Sequence, residues 1–75
     1  MDKVIVRNGD DLGAALRELR RLSGQSQSKV AIVVGVDPTY ISHLESGRRL
    51  PSPTLLLSLL KVLGGELVIQ SEENP

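Results

Sequence analysis

The sequence predicts an all-α domain: a small bundle of four to five helices followed by one short C-terminal β-strand. Two observations support this prediction. Residues that start helices alternate with glycines that end them, and leucine, isoleucine and valine recur at helical spacing in between. With one Tyr and neither Phe nor Trp in 75 residues, the core must be aliphatic. This length suits a single domain over 1–75, with its core in 10–63 and the strand at 66–70.

The first helix is predicted to begin at Asn8, a favourable N-cap, after a β-branched segment, 3–7, that is expected to be extended. Asp11 lies three residues after Asn8, so the two can form a capping-box pair. The charge of Asp11 also suits the positive end of the helix dipole. The helix is expected to run to about Ser23 and to stop at Gly24. Its apolar face comprises Leu12, Leu16 and Leu19.

The second helix is predicted over Gln27–Val34, with Ser26 as its N-cap. Its second half is a run of β-branched residues that, taken alone, is equally compatible with a buried strand. The spacing of the surrounding residues favours the helix. The third helix has clearer signals, with Asp37 as N-cap, Pro38 at the first helical position and Gly47 as the stop.

The fourth helix is predicted to begin after Ser52, with Pro53 at its first position, and to end at Gly64. Its leucines form a face that is broader than one small core can cover: Leu55, Leu56, Leu59, Leu60 and Leu63. The segment 66–70 is then predicted to be a strand. A lone strand is not stable without a partner. That partner could be residues 4–6 of the same chain or a strand of a second subunit.

The charges of the chain are unevenly distributed, although its formal net charge is zero. Residues 17–61 contain seven Arg and Lys against three acidic residues, a net charge of +4, whereas the flanking segments together carry −4. A positive middle between acidic ends is typical of a protein with one face toward nucleic acid. A randomly mixed surface is the alternative interpretation.

The composition argues against several other classes of protein. With no Cys and one His, the chain has neither disulfides nor the ligands of a structural zinc site, and it suits a reducing cytoplasm. No apolar segment approaches the roughly 20 residues that cross a bilayer, so no membrane association is expected. No nucleophile–base pair, paired acids or Gly-rich phosphate loop indicates an enzyme, and no cofactor is expected.

After Gly24, small and apolar residues recur at the spacing that is typical of two short helices joined by a tight turn. The residues that carry this pattern are Ser26, Gln27, Ala31, Gly35, Ile41, Leu44, Glu45 and Gly47. The pattern resembles the Cro/lambda-repressor (Xre-type) DNA-binding family over roughly residues 12–63. The resemblance implies a lambda-repressor-like helix-turn-helix bundle, whose second motif helix enters the major groove of double-stranded DNA. The extended N terminus and the C-terminal strand are more similar to the HipB-type antitoxins, which dimerise partly through such a strand.

The resemblance implies a role for each polar residue around the motif. Contacts to base edges are expected from Pro38, Thr39, Tyr40, Ser42 and His43. Contacts to DNA phosphates are expected from Ser26, Gln27, Lys29, Ser46, Arg48 and Arg49. Arg20 and Glu45 match positions that in this family form an ion pair between the first helix and the second motif helix, here called the reader helix. Glu45 is therefore expected to be structural.

The chemistry of the reader helix limits what each residue can contact. His43 can donate to guanine O6 or N7, and the methyl group of Thr39 can touch a thymine methyl. Pro38 has no hydrogen-bond donor and offers only shape or apolar contact. Tyr40 can either reach a phosphate or pack against the loop that follows.

Three classes of function remain. The first is a repressor that occupies an operator as a homodimer, since small domains with one reader helix usually bind two-fold sites as dimers. The second is an antitoxin that also binds a cognate toxin, such as a HipA-like kinase. The third is a protein-interaction module without DNA affinity. Ile32 and Val33 depart from the family pattern, in which one of them faces solvent, and can widen an apolar patch that another chain covers. We expect the repressor.

Overall fold

The computed structural model describes residues 3–71, and these contain four α-helices. In chain order the helices are α1 (Gly9–Ser23), α2 (Gln27–Val34), α3 (Pro38–Glu45) and α4 (Pro53–Leu63). The predicted all-α bundle is confirmed, with four helices at close to the predicted limits. α1 packs against α3 and α4, and α2 packs against the same two helices. α2 and α3, with the turn between them, form the helix-turn-helix motif.

Each helix begins where a side-chain oxygen accepts a hydrogen bond from the first turn. The four N-caps are the predicted ones: Asn8, Ser26, Asp37 and Ser52. The capping box expected at α1 is modified. Asn8 Oδ1 accepts the Asp11 N–H at 2.8 Å, but the Asp11 carboxylate accepts the N–H of Arg7 at 3.0 Å, not that of Asn8. Asp11 therefore also fixes the direction in which the chain enters α1.

The turn of the motif is made at Gly35, whose φ of 78° lies in the left-handed region. The N–H groups of Gly35 and Val36 both donate to the carbonyl of Ala31, at 2.8 and 2.9 Å. These bonds close the last turn of α2. A side chain at this φ would strain the backbone, which is why glycine stands here.

The core is aliphatic, and all four helices contribute to it. Its buried members are Leu16, Val30, Ala31, Ile41, Leu44, Leu59, Leu60 and Leu63. The burial pattern explains why the β-branched run of α2 is helical. Val30 and Ala31 are adjacent and both buried, whereas Ile32 and Val33 are 79% and 57% exposed. A half-buried strand would alternate residue by residue instead.

α1 and α3 approach each other closely at Gly13, which is buried in the middle of α1. A Cβ atom at Gly13 would lie 2.5 Å from the carbonyl oxygen of Leu44 and 2.7 Å from that of Glu45. Glycine inside a helix lowers its stability. The close crossing of α1 over the end of α3 accounts for its presence.

The predicted C-terminal β-strand is wrong. Residues 66–70, here called the C-terminal arm, have no regular secondary structure, and neither do residues 3–7, here called the N-terminal arm. The apolar side chains of both arms are exposed, from 44% for Val6 to 91% for Ile69. A strand needs a neighbour to complete its hydrogen bonds. Within residues 3–71 the two arms form no ladder with each other, so no strand arises in the single chain.

The two arms border an apolar groove on the side of the bundle formed by α1 and α4. The groove has a volume of about 980 Å³. Its floor consists of Leu12, Ala15, Leu16, Leu19, Leu56 and Leu60. Two leucines of α4, Leu56 and Leu60, therefore line this groove as well as packing with the core.

Candidate nucleic-acid interface

The outward side of α3 carries most of the side chains that the sequence predicts to read bases. Pro38, Thr39 and Ser42 are exposed, and His43 is half-buried, while the opposite side of the helix lies in the core. Asp37 Oδ1 accepts the Thr39 N–H at 2.8 Å, which fixes the first turn. A rigid helix with hydroxyl and imidazole groups on its free side can offer hydrogen bonds to base edges in a major groove.

Tyr40 is half-buried and packs against the core. The guanidinium carbon of Arg49 lies 5.9 Å from the centroid of the Tyr40 ring, within the range of a cation–π contact. Tyr40 therefore packs against the loop that follows α3, which was one of its two alternatives beside a phosphate contact. The contact ties the loop after α3 to the reader helix.

The carbonyl of His43 accepts three of the hydrogen bonds that hold the backbone after α3. The N–H groups of Arg48 and Arg49 donate to the carbonyl of His43, at 2.9 and 3.2 Å, and the Ser46 hydroxyl donates to it at 3.1 Å. Both arginines are exposed. Their backbone is therefore held directly beyond α3, with the side chains in solvent.

Arg20 and Glu45 form a bidentate ion pair between α1 and α3. Arg20 Nε lies 2.6 Å from Glu45 Oε2, and Arg20 Nη2 lies 3.0 Å from Glu45 Oε1. Arg20 Nη1 also donates to the carbonyl of Gln25 at 3.0 Å. The two side chains are 14% and 7% exposed. The pair therefore joins α1, the segment before α2 and the end of α3.

Gln27 belongs to the same network. Its Nε2 donates to Glu45 Oε1 at 3.0 Å. The sequence pattern assigns this amide to a DNA phosphate and gives no sign of the link to Glu45, which lies 18 residues away. One amide hydrogen is committed to Glu45, and the second remains to donate to a phosphate.

The surroundings of Glu45 lower the pKa of its carboxyl. Burial alone would raise this pKa. The hydrogen bonds from Arg20 and Gln27, together with the charges of Arg20 and Arg17, lower it by more than burial raises it. The hydrogen bond to Glu45 raises the pKa of the Arg20 guanidinium and outweighs the opposite effect of burial. The pair is therefore ionised at neutral pH.

A polar hollow of about 270 Å³ lies where α1, α2 and α3 meet. Its lining consists of Arg17, Arg20, Gln27, Ser42, Glu45 and Ser46. Arg17 is absent from the residues that the sequence analysis selects. The available signal was its position three residues before Arg20, which places the two side chains on the same face of a helix.

The described part of the chain holds neither a metal-binding cluster nor a helix suited to a membrane. Among residues 3–71, no three His, Asp or Glu side chains are grouped as a metal ion would require. Within the same range, no helix combines the length and the apolar character needed to cross a bilayer. Ser26 and Lys29 stand at the start of α2, where the Ser26 side chain accepts the Lys29 N–H at 3.0 Å.

Comparison with known proteins gives a family match over most of the chain. Residues 11–67 match the model of a helix-turn-helix domain. An uncharacterised HTH-type transcriptional regulator of Sinorhizobium fredii, y4dJ, is 37% identical over an alignment of 67 residues that covers 85% of this chain and 87% of that protein.

Solved structures agree with the sequence match. The clp gene regulator ClgR from Corynebacterium glutamicum is 40% identical, with a TM-score of 0.74 over 77% of this chain and 74% of its own. A chain of the HipA–HipB–O2–O3 complex superposes with a TM-score of 0.77 over 97% of this chain and 100% of its own. That chain is 20% identical, so it shows a shared fold. From the spacing of the motif, the family model and these relatives, the chain belongs to the Xre-type helix-turn-helix family.

Proposed function

We propose that the protein is a transcriptional regulator that binds double-stranded DNA at a specific operator as a homodimer and acts there as a repressor. The observation that supports this most strongly is the exposed side of α3. Thr39, Ser42 and His43 stand on a helix whose other side is fixed to α1 by Arg20 and Glu45. A reader helix must be free on one side and rigidly held on the other, because base recognition tolerates little misplacement.

The contacts divide into two kinds. Thr39, Ser42 and His43 contact base edges, and Pro38 contributes shape and apolar contact at the start of α3. Phosphate contacts come from two groups on either side of the reader helix. The first group is Ser26, Gln27 and Lys29, at the start of α2, and the second is Ser46, Arg48 and Arg49, beyond α3. The helix dipole and the free N–H groups of the first turn of α2 add to the first group.

The experiment that tests this function is selection of binding sites from random duplex DNA at moderate salt. We expect a two-fold symmetric site whose half-sites lie about one helical turn apart, roughly 34–36 Å. Failure to enrich any sequence, with no shift of non-specific duplex either, would rule out the proposed function. Equal retention of all duplexes would support DNA binding but contradict the preference for a specific operator.

Two kinds of substitution then separate base contacts from phosphate contacts. Thr39→Ala or His43→Ala should relax the preference at one base position by about 1–3 kcal/mol. Arg48→Ala should weaken all sequences alike and reduce the salt dependence by about one unit of slope. If both kinds left affinity and preference unchanged, the assigned contacts would be wrong.

The homodimer rests on the apolar groove and its two arms. The N-terminal arm carries Lys3 and Arg7, whereas the C-terminal arm begins with Glu66 and is followed in the sequence by two more acidic residues. Both arms are rich in exposed β-branched residues, and their charges are opposite. Because they do not pair within the chain, each can pair with the oppositely charged arm of a second copy. This pairing would cover the exposed apolar side chains of both arms and close the groove.

A second candidate function is an antitoxin that binds a cognate toxin in addition to DNA. The observation that favours it is the exposure of Ile32 and Val33 on α2, which lie outside the groove and the α3 face. Single exposed apolar residues are normal, but two adjacent β-branched ones suit a protein partner. Co-expression with the product of a neighbouring gene tests it. A defined complex that Ile32→Lys abolishes would support the antitoxin function, and two proteins that elute separately would refute it.

The third class, an interaction module without DNA affinity, is distinguished by gel shift. A complex that persists against excess non-specific competitor supports the repressor. Absence of any complex at low salt, where phosphate contacts are strongest, would favour the interaction module.

A further inference from the structure

The polar hollow between α1, α2 and α3 holds donors that the Arg20–Glu45 network does not use. Both oxygens of Glu45 are occupied, since they accept three hydrogen bonds from Arg20 and Gln27. The Glu45 side chain is only 7% exposed. It therefore presents little negative charge to a group entering the hollow. The donors that remain are the guanidinium of Arg17, the hydroxyl of Ser42 and the second amide hydrogen of Gln27, and of these residues Arg17 and Ser42 are exposed.

Arg17 is the free cation of this site. It is exposed, and no side chain or backbone oxygen among residues 3–71 accepts a hydrogen bond from it. Its side chain nevertheless lines the hollow beside Arg20 and Glu45. Arg21, four residues later on the same helix, differs because it is paired with Glu18 at 3.1 Å. An unpaired guanidinium in a polar hollow is suited to bind an anion.

The charge and the position of the hollow indicate which anion. Two arginines and one glutamate leave its lining with a net charge of +1. The lining includes Gln27, which belongs to the phosphate contacts proposed at the start of α2, and Ser46, which belongs with Arg48 to the contacts proposed beyond α3. The hollow therefore lies between the two groups of phosphate contacts, where a continuous DNA backbone would pass.

We propose that this hollow seats one phosphate group of the DNA backbone, bound by Arg17 from α1 and by the Ser42 hydroxyl from α3. The inference rests on the proposed function and extends it with a phosphate contact from α1. Ser42 then contacts the backbone, and base reading falls to Thr39 and His43. The seated phosphate sets the depth at which α3 enters the groove.

The test compares Arg17→Gln with Arg21→Gln, a matched control that removes the same charge from the same exposed helix. Affinity is measured by fluorescence anisotropy across a salt series, with the selected operator duplex and with a mixed-sequence 20-base-pair duplex. Arg17→Gln should weaken binding roughly tenfold near 0.1 M salt and reduce the salt slope by about one per bound chain. Arg21→Gln should stay close to wild type. Arg17→Lys, which keeps the charge, should retain most of the slope.

Each outcome decides the matter. If Arg17→Gln and Arg21→Gln changed affinity and salt slope equally, only the overall positive charge of α1 would contribute to binding. That result would overturn the phosphate site in the hollow and leave the proposed DNA binding intact. If the wild type bound neither duplex, the proposed function would fail and this inference with it. Titration with inorganic phosphate at constant ionic strength, followed by the Arg17 Nε–H resonance, identifies the remaining case. A shift there with unchanged DNA slopes would assign the hollow to a free anion.

Discussion

At the scale of single residues, Glu45 connects three helices. It stands at the end of α3, pairs with Arg20 of α1 and accepts the amide of Gln27 at the start of α2. An ion pair of this kind adds little stability as a whole, because burial offsets much of the attraction. Removing one partner is different, since it leaves the other charge without compensation. Glu45 therefore determines the orientation of the reader helix more than it stabilises the bundle.

The pH dependence of unfolding tests this role. The pKa of Glu45 is lower in the folded chain than its ordinary value of 4.5. The ionised pair therefore stabilises the fold above that value, and the contribution is lost as pH falls through the folded pKa. We expect Glu45→Gln to lower the free energy of unfolding by about 1–3 kcal/mol at neutral pH. The difference from wild type should shrink below about pH 4.5, as measured by urea titration.

The control for this experiment is Glu18→Gln. Glu18 pairs with Arg21 on the surface, with both side chains more than half exposed, so its removal should change stability little at any pH. A difference between wild type and Glu45→Gln that stays constant down to pH 3 would contradict the ionised pair.

The sequence allowed only part of this network to be predicted. The pairing of Arg20 with Glu45 was expected because residues at these two positions form an ion pair in the family that the sequence resembles. The bond from Gln27 to Glu45 joins residues 18 apart and depends on how α2 lies against α3. Arg17 was missed for the same reason, because its environment is made by three helices that are distant in the chain.

At the scale of elements, the contact between α1 and α3 depends on Gly13. A Cβ atom there would press on two backbone carbonyls, which cannot move aside as a side chain would. We expect Gly13→Ala to reduce the free energy of unfolding by about 1–3 kcal/mol or more, despite the better helix propensity of alanine. Because the clash would displace α3, operator affinity should fall as well. Urea titration and anisotropy measure the two effects.

Gly9→Ala is the matched control for that substitution. A Cβ atom at Gly9 would meet the Leu50 side chain at 3.2 Å, and the end of a leucine can shift. The variant should therefore be close to wild type or slightly more stable. Equal losses from Gly9→Ala and Gly13→Ala would mean that the crossing of α1 and α3 is looser than described.

The helices were predictable because their ends are local features. Asn8, Ser26, Asp37 and Ser52 each cap the turn that directly follows them, whatever the rest of the fold does. The strand at 66–70 failed because its stability depends on a partner that the single chain does not provide. α2 lies between these cases, since its β-branched residues became helical through contacts with α3 and α4.

At the scale of the whole molecule, the groove between α1 and α4 and its two arms predict the oligomeric state. We expect the wild type to be a dimer at tens of micromolar by light scattering. Ile69→Lys should make it a monomer, because it places a charge in the C-terminal arm that the partner would cover. Operator affinity should fall with it, since one reader helix then binds without the other.

Ile32→Lys is the corresponding control, because it adds the same charge at another highly exposed position, on α2 and outside the groove. It should remain dimeric. A monomeric wild type would refute the dimer itself. A dimer that survives Ile69→Lys and dissociates with Ile32→Lys would move the interface from the groove and its arms to α2.

The packing of Tyr40 has a practical consequence for following this molecule in solution. It is the only Tyr in a sequence without Phe or Trp, and it packs against the aliphatic core with the guanidinium of Arg49 over its ring. Biosynthetic replacement by fluorotyrosine would thus introduce one ¹⁹F nucleus, giving a single resonance at the junction of reader helix and loop. That one signal would report unfolding, through loss of its apolar surroundings, and operator docking, through displacement of the arginine above it.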